Sequence, residues 1–394
     1  MASHHRFDDI TVSDLVAQGS MKWTRNPGHL SAFVAEMDFG TAPVITEALH
    51  AAIDKAQMGY LPAGVKSDMA EATSDYLSSH YGWAIPAEQI YPTADVLSAF
   101  DLVLARFSTP GSAVILPTPA YMPFLTIAPA RGHQVIQVPM IAGPSGRAEM
   151  DLEAIGRAFE AGAEVFILCN PHNPLGRVYS QEELEALAVV VEAHGGLVFS
   201  DEIHAPLTLE GHRHIPYASL SEATANHTLT ATSASKAFNI PGLKCAQLIV
   251  SSAAHQESLR EVAFMVSHGS ATPGVMANTV AYRAGGPWLA DVLGYLDTNR
   301  TLLGELLATH IPAMGYTPPE GTYIAWIDAN GLPDIKGDRS WAQFFADEAQ
   351  VGLTDGALCG EAGVGHLRLM LATPGHILEK IILAMAEALK AHSA

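Results

Sequence analysis

TATSASKAFNIPGLKC, residues 230–245, is the stretch on which the reading of this chain turns. The run HTLTA that leads into it, His227–Ala231, predicts a short buried strand. Two small hydroxyl residues follow, Ser233 and Ser235, and then Lys236 stands with almost no other charge around it before the Pro241-Gly242 turn. Most lysines sit on solvated faces. One that follows a strand into a small-residue loop is presented at the carboxyl edge of a parallel sheet, where open α/β sheets bind ligands. An amine partly desolvated there has a lowered pKa and forms a Schiff base with a carbonyl compound. A lysine after a strand is more often a surface residue, so the reading depends on what else converges on it.

Outward from this stretch the chain alternates short apolar runs with amphipathic segments. Strands are expected at Ala113–Leu116, Gln134–Val138, Glu164–Cys169, Leu197–Ser200 and Ala246–Val250. That alternation predicts an α/β domain with a mostly parallel sheet. Asp151 is expected to cap a helix ending near Gly162, and Ser180 with Glu183 forms a capping box for a helix closed by Gly195-Gly196. Ahead of the alternation, Thr41 reads as the N-cap of a helix with Pro43 early in it, and a second helix carries Met69–Tyr81. Beyond about residue 286 the pattern changes to a helix over Pro287–His310, a strand over Thr322–Asp328, a helix over Ser340–Gln350, the strand-like GHLRLML and a terminal helix from Gly375. The division expected is an N-terminal segment 1–40 packing beside a small α+β domain 287–394, with a large domain 41–286 between them.

Composition bounds the partners. The 394 residues are 48% hydrophobic and 16% charged with a net charge of -20, a globular composition without the basic stripe that nucleic-acid binding requires. The three cysteines, Cys169, Cys245 and Cys359, are far apart and show no zinc or disulfide spacing, so no metal is expected and a reducing compartment fits. The opening MASHHRFDDITVSD lacks the basic and apolar regions of a secretory signal, and no apolar run reaches the length of a membrane span; a cytoplasmic protein with no membrane partner is expected. His212 and His214 in GHRH are read as solvated loop residues, GEAGVG at 360–365 as a turn, and the sequons at Asn226 and Asn299 as chance matches.

Three of the expected loops carry Asn173, Asp201 and Lys236, separated by 28 and 35 residues. Each type answers one need of pyridoxal 5′-phosphate: the lysine attaches the aldehyde, the carboxylate keeps the pyridine nitrogen protonated so that the ring accepts electrons, and the amide hydrogen-bonds the ring's 3′ oxygen. Ser233, Ser235 and Lys244 lie close enough in sequence to serve the phosphate, and Tyr121 in PTPAYMPF could lay its ring on the cofactor's face.

The motifs NPHNPLGRV, SDEIHAPL and SASKAFNIPGLK resemble those of the aspartate-aminotransferase fold, fold type I of the pyridoxal-phosphate enzymes, and specifically its MalY/PatB-like cystathionine β-lyase branch. FVAEMDF, MGY, PAYMPF, EGTYIAWID and LRLMLATP match that branch in order over nearly the whole chain. The resemblance implies a mostly parallel seven-stranded sheet with a small α+β domain, and a homodimer with active sites at its interface. It implies Lys236 as attachment point and proton shuttle, Asp201 on the ring nitrogen, Asn173 on the 3′ oxygen and near the substrate, and Tyr121 stacked on the ring. It also implies Tyr60 reaching the phosphate of the neighbouring subunit's cofactor and Arg368 gripping the substrate α-carboxylate. Trp23 and Tyr60, with Met122 and Phe124, are expected to shape the pocket for the thiol side of the substrate. The reaction implied is β-elimination from L-cystathionine or a related cysteine S-conjugate, giving a thiol, pyruvate and ammonia. An aminotransferase is the alternative, and a regulatory or binding protein on the same fold a second. One departure concerns the phosphate turn, which reads TADVLSA with Asp95 where the branch carries glycine. Asp95 is expected to turn away and cap the next helix, leaving the N–H groups of Val96 and Leu97 for the phosphate. The other departure is Lys244, a cation where the branch often has a neutral residue.

Overall fold

The apolar runs of the alternation become one seven-stranded sheet in a computed structural model that describes residues 5–143, 146–335 and 337–392. Its strands are β1 (Ile90–Thr93), β2 (Ala113–Thr118), β3 (Gln134–Pro139), β4 (Ala163–Cys169), β5 (Leu197–Asp201), β6 (Thr228–Thr232) and β7 (Ala246–Ile249). The order across the sheet is β1-β7-β6-β5-β4-β2-β3. Strand β7 is antiparallel to both its neighbours, and the remaining pairings are parallel. β2 and β6 are buried at every position, which is why they read as continuous apolar or small-residue runs rather than as alternations. Helices Val96–Phe107 and Phe124–Ala130 cover one face through Phe100, Phe124 and Phe199. Helices Leu152–Glu160 and Gln181–His194 cover the other.

A second sheet is antiparallel: β8 (Gly315–Tyr316), β9 (Ile324–Asp328), β10 (Thr354–Asp355) and β11 (His366–Met370), ordered β8-β9-β11-β10. Helices Gly286–His310, Trp341–Ala349 and Gly375–His392 share a core with it. Several caps form as expected. Asp151 accepts from the Ala154 N–H, Ser180 and Glu183 make a reciprocal capping box, and Gly195 closes its helix in the left-handed region at φ 63°.

Three local expectations need correction. Thr41 does not cap its helix; Ala42 holds that position, and the Thr41 hydroxyl donates instead to the Phe238 carbonyl at 2.6 Å. The helix expected from Met69 begins at Ala63, because its first turn is a run of small and polar residues without apolar period. Strand β1 was not expected at all: a proline at its centre, Pro92, masks a segment that pairs only with β7.

The N-terminal segment is fixed by a buried ion pair. Lys22 Nζ lies 2.8 Å from Asp38 Oδ2 with both residues out of solvent, and the Trp23 indole N–H donates to Asp38 Oδ1 at 2.8 Å. Leu30–Ser31 pairs in parallel with Val351–Gly352, and Asn239 bonds both the N–H and the carbonyl of Met37, each at 2.9 Å. The segment FVAEMDF is thereby held against the stretch that carries Lys236. Lys22→Met leaves the Asp38 charge buried without its cation, and the expected loss is about 3 kcal/mol or more. Denaturant unfolding checks this; a loss under about 1 kcal/mol contradicts it.

Candidate active site

Five strands of the large sheet deliver their carboxyl ends to one edge. β4 leads into the 170–177 loop with Asn173, β5 ends on Asp201, and β6 ends at Thr232, next to Ser233. β2 leads to Tyr121, and β1 leads through Asp95 into the helix that starts with Val96 and Leu97. Lys236 sits not in a loop but on a single helical turn, Ala234–Ala237, whose N-cap is Ser233. Val96, Leu97, Tyr121, Asn173, Asp201, Ser235, Lys236 and Lys244 line one cavity of about 200 Å³. A larger groove of about 810 Å³ runs along Met58–Leu61 and Phe264–Pro273, but neither Lys236 nor Asp201 lines it.

The cavity pairs an amine with a carboxyl, both withdrawn from water. Burial lowers Lys236 to about 8, and the nearby Arg368 cation adds to this; Glu36 and Asp201 oppose it. Burial raises Asp201 to about 7 against the pull of the Ile203 N–H, which donates to its Oδ1 at 3.1 Å, and of Lys236. In both groups desolvation outweighs the attraction of the opposite charge. Lys236 Nζ donates to the Ala35 carbonyl at 3.1 Å, which also accepts from the Tyr323 hydroxyl at 2.9 Å. Burial, then the Asp201 charge, raises the Tyr121 hydroxyl.

Arg368 lies behind Asn173. Its Nη1 donates to Asn173 Oδ1 at 3.2 Å and its Nη2 to the Phe33 carbonyl at 3.2 Å, while its Nε is buried and without a hydrogen-bond partner. Only 3% of the residue is exposed, and burial lowers its pKa. The Asn173 loop is braced by Arg177, which donates to Glu183 on one side and to Glu320 on the other. At Gly176, φ 68°, an added Cβ would stand 2.4 Å from Pro319 Cβ, so the loop closes on the 319–321 segment only with glycine there.

Asp95 caps the next helix as expected, but it does not leave the cavity, whose wall it shares with Val96 and Leu97. Its Oδ1 accepts from the Ser98 N–H and hydroxyl, each at 2.7 Å, and its Oδ2 accepts from Lys244 Nζ at 3.0 Å. Burial acts to raise this carboxyl, but Ser98 and Lys244 together hold it below its ordinary value.

Other sequence-predicted residues fall elsewhere. Ser233 is fully buried; its hydroxyl donates to the Cys245 carbonyl at 2.7 Å and accepts from the Ser235 N–H, so it caps the turn rather than lining the cavity. Trp23 is 3% exposed and spent on Asp38, which removes it from the cavity wall. Phe124 is buried in the sheet-face core. Tyr60 is 95% exposed and lines the larger groove, apart from Lys236 within this chain. His214, expected to be solvated, is buried with its Nε2 3.0 Å from the buried Glu202 Oε2. Asn299 is also buried, its amide donating to the carbonyls of Leu371 and Thr373. No cluster that could hold a metal occurs among the described residues.

Two site residues escaped the sequence reading. The Ala35 carbonyl could not be foreseen, since a backbone oxygen leaves no residue-type signal. His204 could: it sits inside SDEIHAPL, three residues after Asp201, and lines the same cavity. Burial and the Lys236 and Arg368 charges lower it to about 3, so the imidazole is neutral at physiological pH.

The Asp201 shift has a stability consequence with a definite sign. A carboxyl raised from 3.8 to about 7 binds its proton more tightly folded than unfolded, so its contribution is lost as pH rises through that window. Asp201→Asn, neutral throughout, is expected to gain stability relative to the parent as pH rises from about 4 to 7. Unfolding free energies of the ligand-free proteins across this range check it, and a pH-independent difference contradicts it.

The aminotransferase class I and II family matches residues 34–380. The cystathionine beta-lyase of Corynebacterium glutamicum is 33% identical, over 90% of this chain and 92% of that protein. The cystathionine beta-lyase PatB of Bacillus subtilis is 32% identical, over 89% and 91%. Among solved structures, the PLP-bound C-S lyase from Staphylococcus hominis superposes with a TM-score of 0.90 at 28% identity, covering 97% of this chain and 98% of that one. Matched by the family over residues 34–380 and by relatives over most of its length, the chain belongs to the class I and II aminotransferase family.

Proposed function

We propose that this protein is a pyridoxal-5′-phosphate-dependent carbon–sulfur β-lyase acting on L-cystathionine or related cysteine S-conjugates. The observation that carries the reading is the meeting of Lys236, Asp201 and Asn173 in one cavity, with Arg368 against the asparagine. The residues present fit the cofactor: an amine lowered to about 8, a carboxyl at the same sheet edge, an aromatic ring at Tyr121, and a helix N-terminus at Val96 and Leu97 beside Ser235 and Lys244. The relatives named as cystathionine beta-lyases support the substrate class.

Bound there, pyridoxal 5′-phosphate supplies an electron sink for the carbanion left when the substrate Cα loses a proton. The chain's own groups do the rest. Lys236 Nζ would hold the cofactor's aldehyde and would take the substrate Cα proton as general base, returning it to the departing sulfur. Asp201 would hold the proton on the ring nitrogen. Asn173 serves the 3′ oxygen and, with Arg368, faces the substrate carboxylate; the planar fork of Arg368, with its spare Nε, suits bidentate binding. Tyr121, on the cavity wall, would stack on the ring face. Ser235, Lys244 and the N–H groups of Val96 and Leu97 hold the phosphate. Expulsion of sulfur from Cβ then gives the thiol, with pyruvate and ammonia after hydrolysis.

In this reading residues 41–286 carry the cofactor, and 287–394 with 1–40 bring Arg368 and Ala35 onto it. Two chains pair so that each exposed Tyr60 reaches the phosphate of its neighbour, which accounts for a tyrosine left bare beside an apolar groove. No helix among the described residues is long and apolar enough to cross a membrane, and three buried free thiols suit the reducing cytoplasm.

Purified protein given L-cystathionine is expected to release pyruvate and thiol without an added 2-oxo acid, and Lys236→Ala to lose about 10²-fold or more of that rate. Pyruvate release and free thiol are measured together. Turnover that requires a 2-oxo acid would point to transamination instead, and full activity in Lys236→Ala would remove the lysine from its role.

A further inference from the structure

The cation at the phosphate turn is already partnered. Lys244 Nζ lies 3.0 Å from Oδ2 of Asp95, the N-cap of the helix that begins with Val96 and Leu97. The lysine is not free to swing off with its backbone. It holds the left-handed region at φ 50°, its carbonyl accepts the Ala271 N–H at 3.0 Å, and helix Thr272–Ala284 packs so closely beneath the turn that a Cβ on Gly274 would lie 2.0 Å from the Leu243 carbonyl oxygen. A non-glycine residue in that conformation costs energy and persists where its surroundings impose it. Asp95 is likewise fixed, by Ser98, at the start of the helix whose first N–H groups belong to Val96 and Leu97. Asp95, Val96, Leu97, Ser235 and Lys244 all line the cavity that holds Lys236.

A phosphate placed at this turn meets one cation and one carboxylate, 3.0 Å apart, and so almost no net charge. We propose that Asp95 is an internal competitor for the cofactor phosphate: by partnering Lys244 it offsets most of that cation's pull on the phosphate and shifts retention of the cofactor toward Lys236, Asp201, Ser235 and the backbone donors. This rests on the reading of the cavity as a pyridoxal-phosphate site. The pair is partly solvated, so the effect is that of an exposed ion pair and is screened by salt.

Asp95→Asn separates charge from capping, because asparagine caps a helix as well as aspartate does. Asp95→Ser does the same with a different side chain and guards against one variant failing to fold. Holoenzymes of the parent and each variant are equilibrated by dialysis against a series of pyridoxal 5′-phosphate concentrations at low and at high salt, and in parallel against pyridoxal, which lacks the phosphate. The bound fraction is read from visible absorbance. Both variants are expected to retain pyridoxal 5′-phosphate about fivefold more tightly at low salt, with the advantage falling toward unity near 1 M salt and with pyridoxal unaffected. Unchanged or weaker retention of the phosphorylated form at low salt overturns the proposal, as does equal tightening for pyridoxal. A parent protein that binds neither compound overturns both this proposal and the reading of the cavity, and so is distinguished from failure of the Asp95 inference alone.

Discussion

The withdrawal of one amine and one carboxyl from water at the same sheet edge is the constraint around which this molecule is arranged. Lys236 and Asp201 have opposite charges, yet burial outweighs their attraction, moving the amine down to about 8 and the acid up to about 7. Each is left near the pH at which a proton transfers with little driving force either way. Solvated side chains of the same types would be a fixed cation and a fixed anion. The fold supplies the difference by ending β5 on the acid and starting a capped helical turn immediately after β6 for the lysine.

Holding two such groups dry requires support from outside the large sheet. The N-terminal segment provides part of it: the buried Lys22–Asp38 pair and the Asn239 bridge to Met37 set the backbone that offers the Ala35 carbonyl to Lys236. The second sheet provides Arg368, carried on β11 and reaching Asn173. Just past β5, Glu202 accepts from the Ser200 hydroxyl and the Tyr217 N–H and faces His214, so the residue next to Asp201 is itself satisfied. The Arg177–Glu320 contact joins the Asn173 loop to the same side of the molecule as Arg368. Three sequence-distant segments thus converge because each carries a polar group that is buried only in company.

What could be read from the sequence followed from period and spacing. Strands β2, β4, β5 and β6 are almost wholly buried runs, and the residues just past β4, β5 and β6 had to share an edge once the sheet was parallel; Asn173, Asp201 and Lys236 followed. The Asp95 cap was legible for the same local reason, a short acid ahead of an apolar helix. The misses came from tertiary context. Trp23 has a type suited to a substrate pocket, but its partner Asp38 lies 15 residues away and draws it into the interior. Ser233 was two residues from the lysine, yet capping geometry consumes its hydroxyl. His214 looked solvated because the carboxylate that buries it, Glu202, sits on a different element. Strand β1 was hidden by its proline.

The account stands on covalent attachment of the cofactor at one amine. The most direct measurement is borohydride reduction of the isolated protein carrying pyridoxal 5′-phosphate, followed by digestion and mass spectrometric location of the pyridoxyl group. The account predicts the modification on the peptide that contains Lys236 and on no other lysine. A pyridoxyl group at a different lysine, or none on protein that has been saturated with the cofactor, contradicts it.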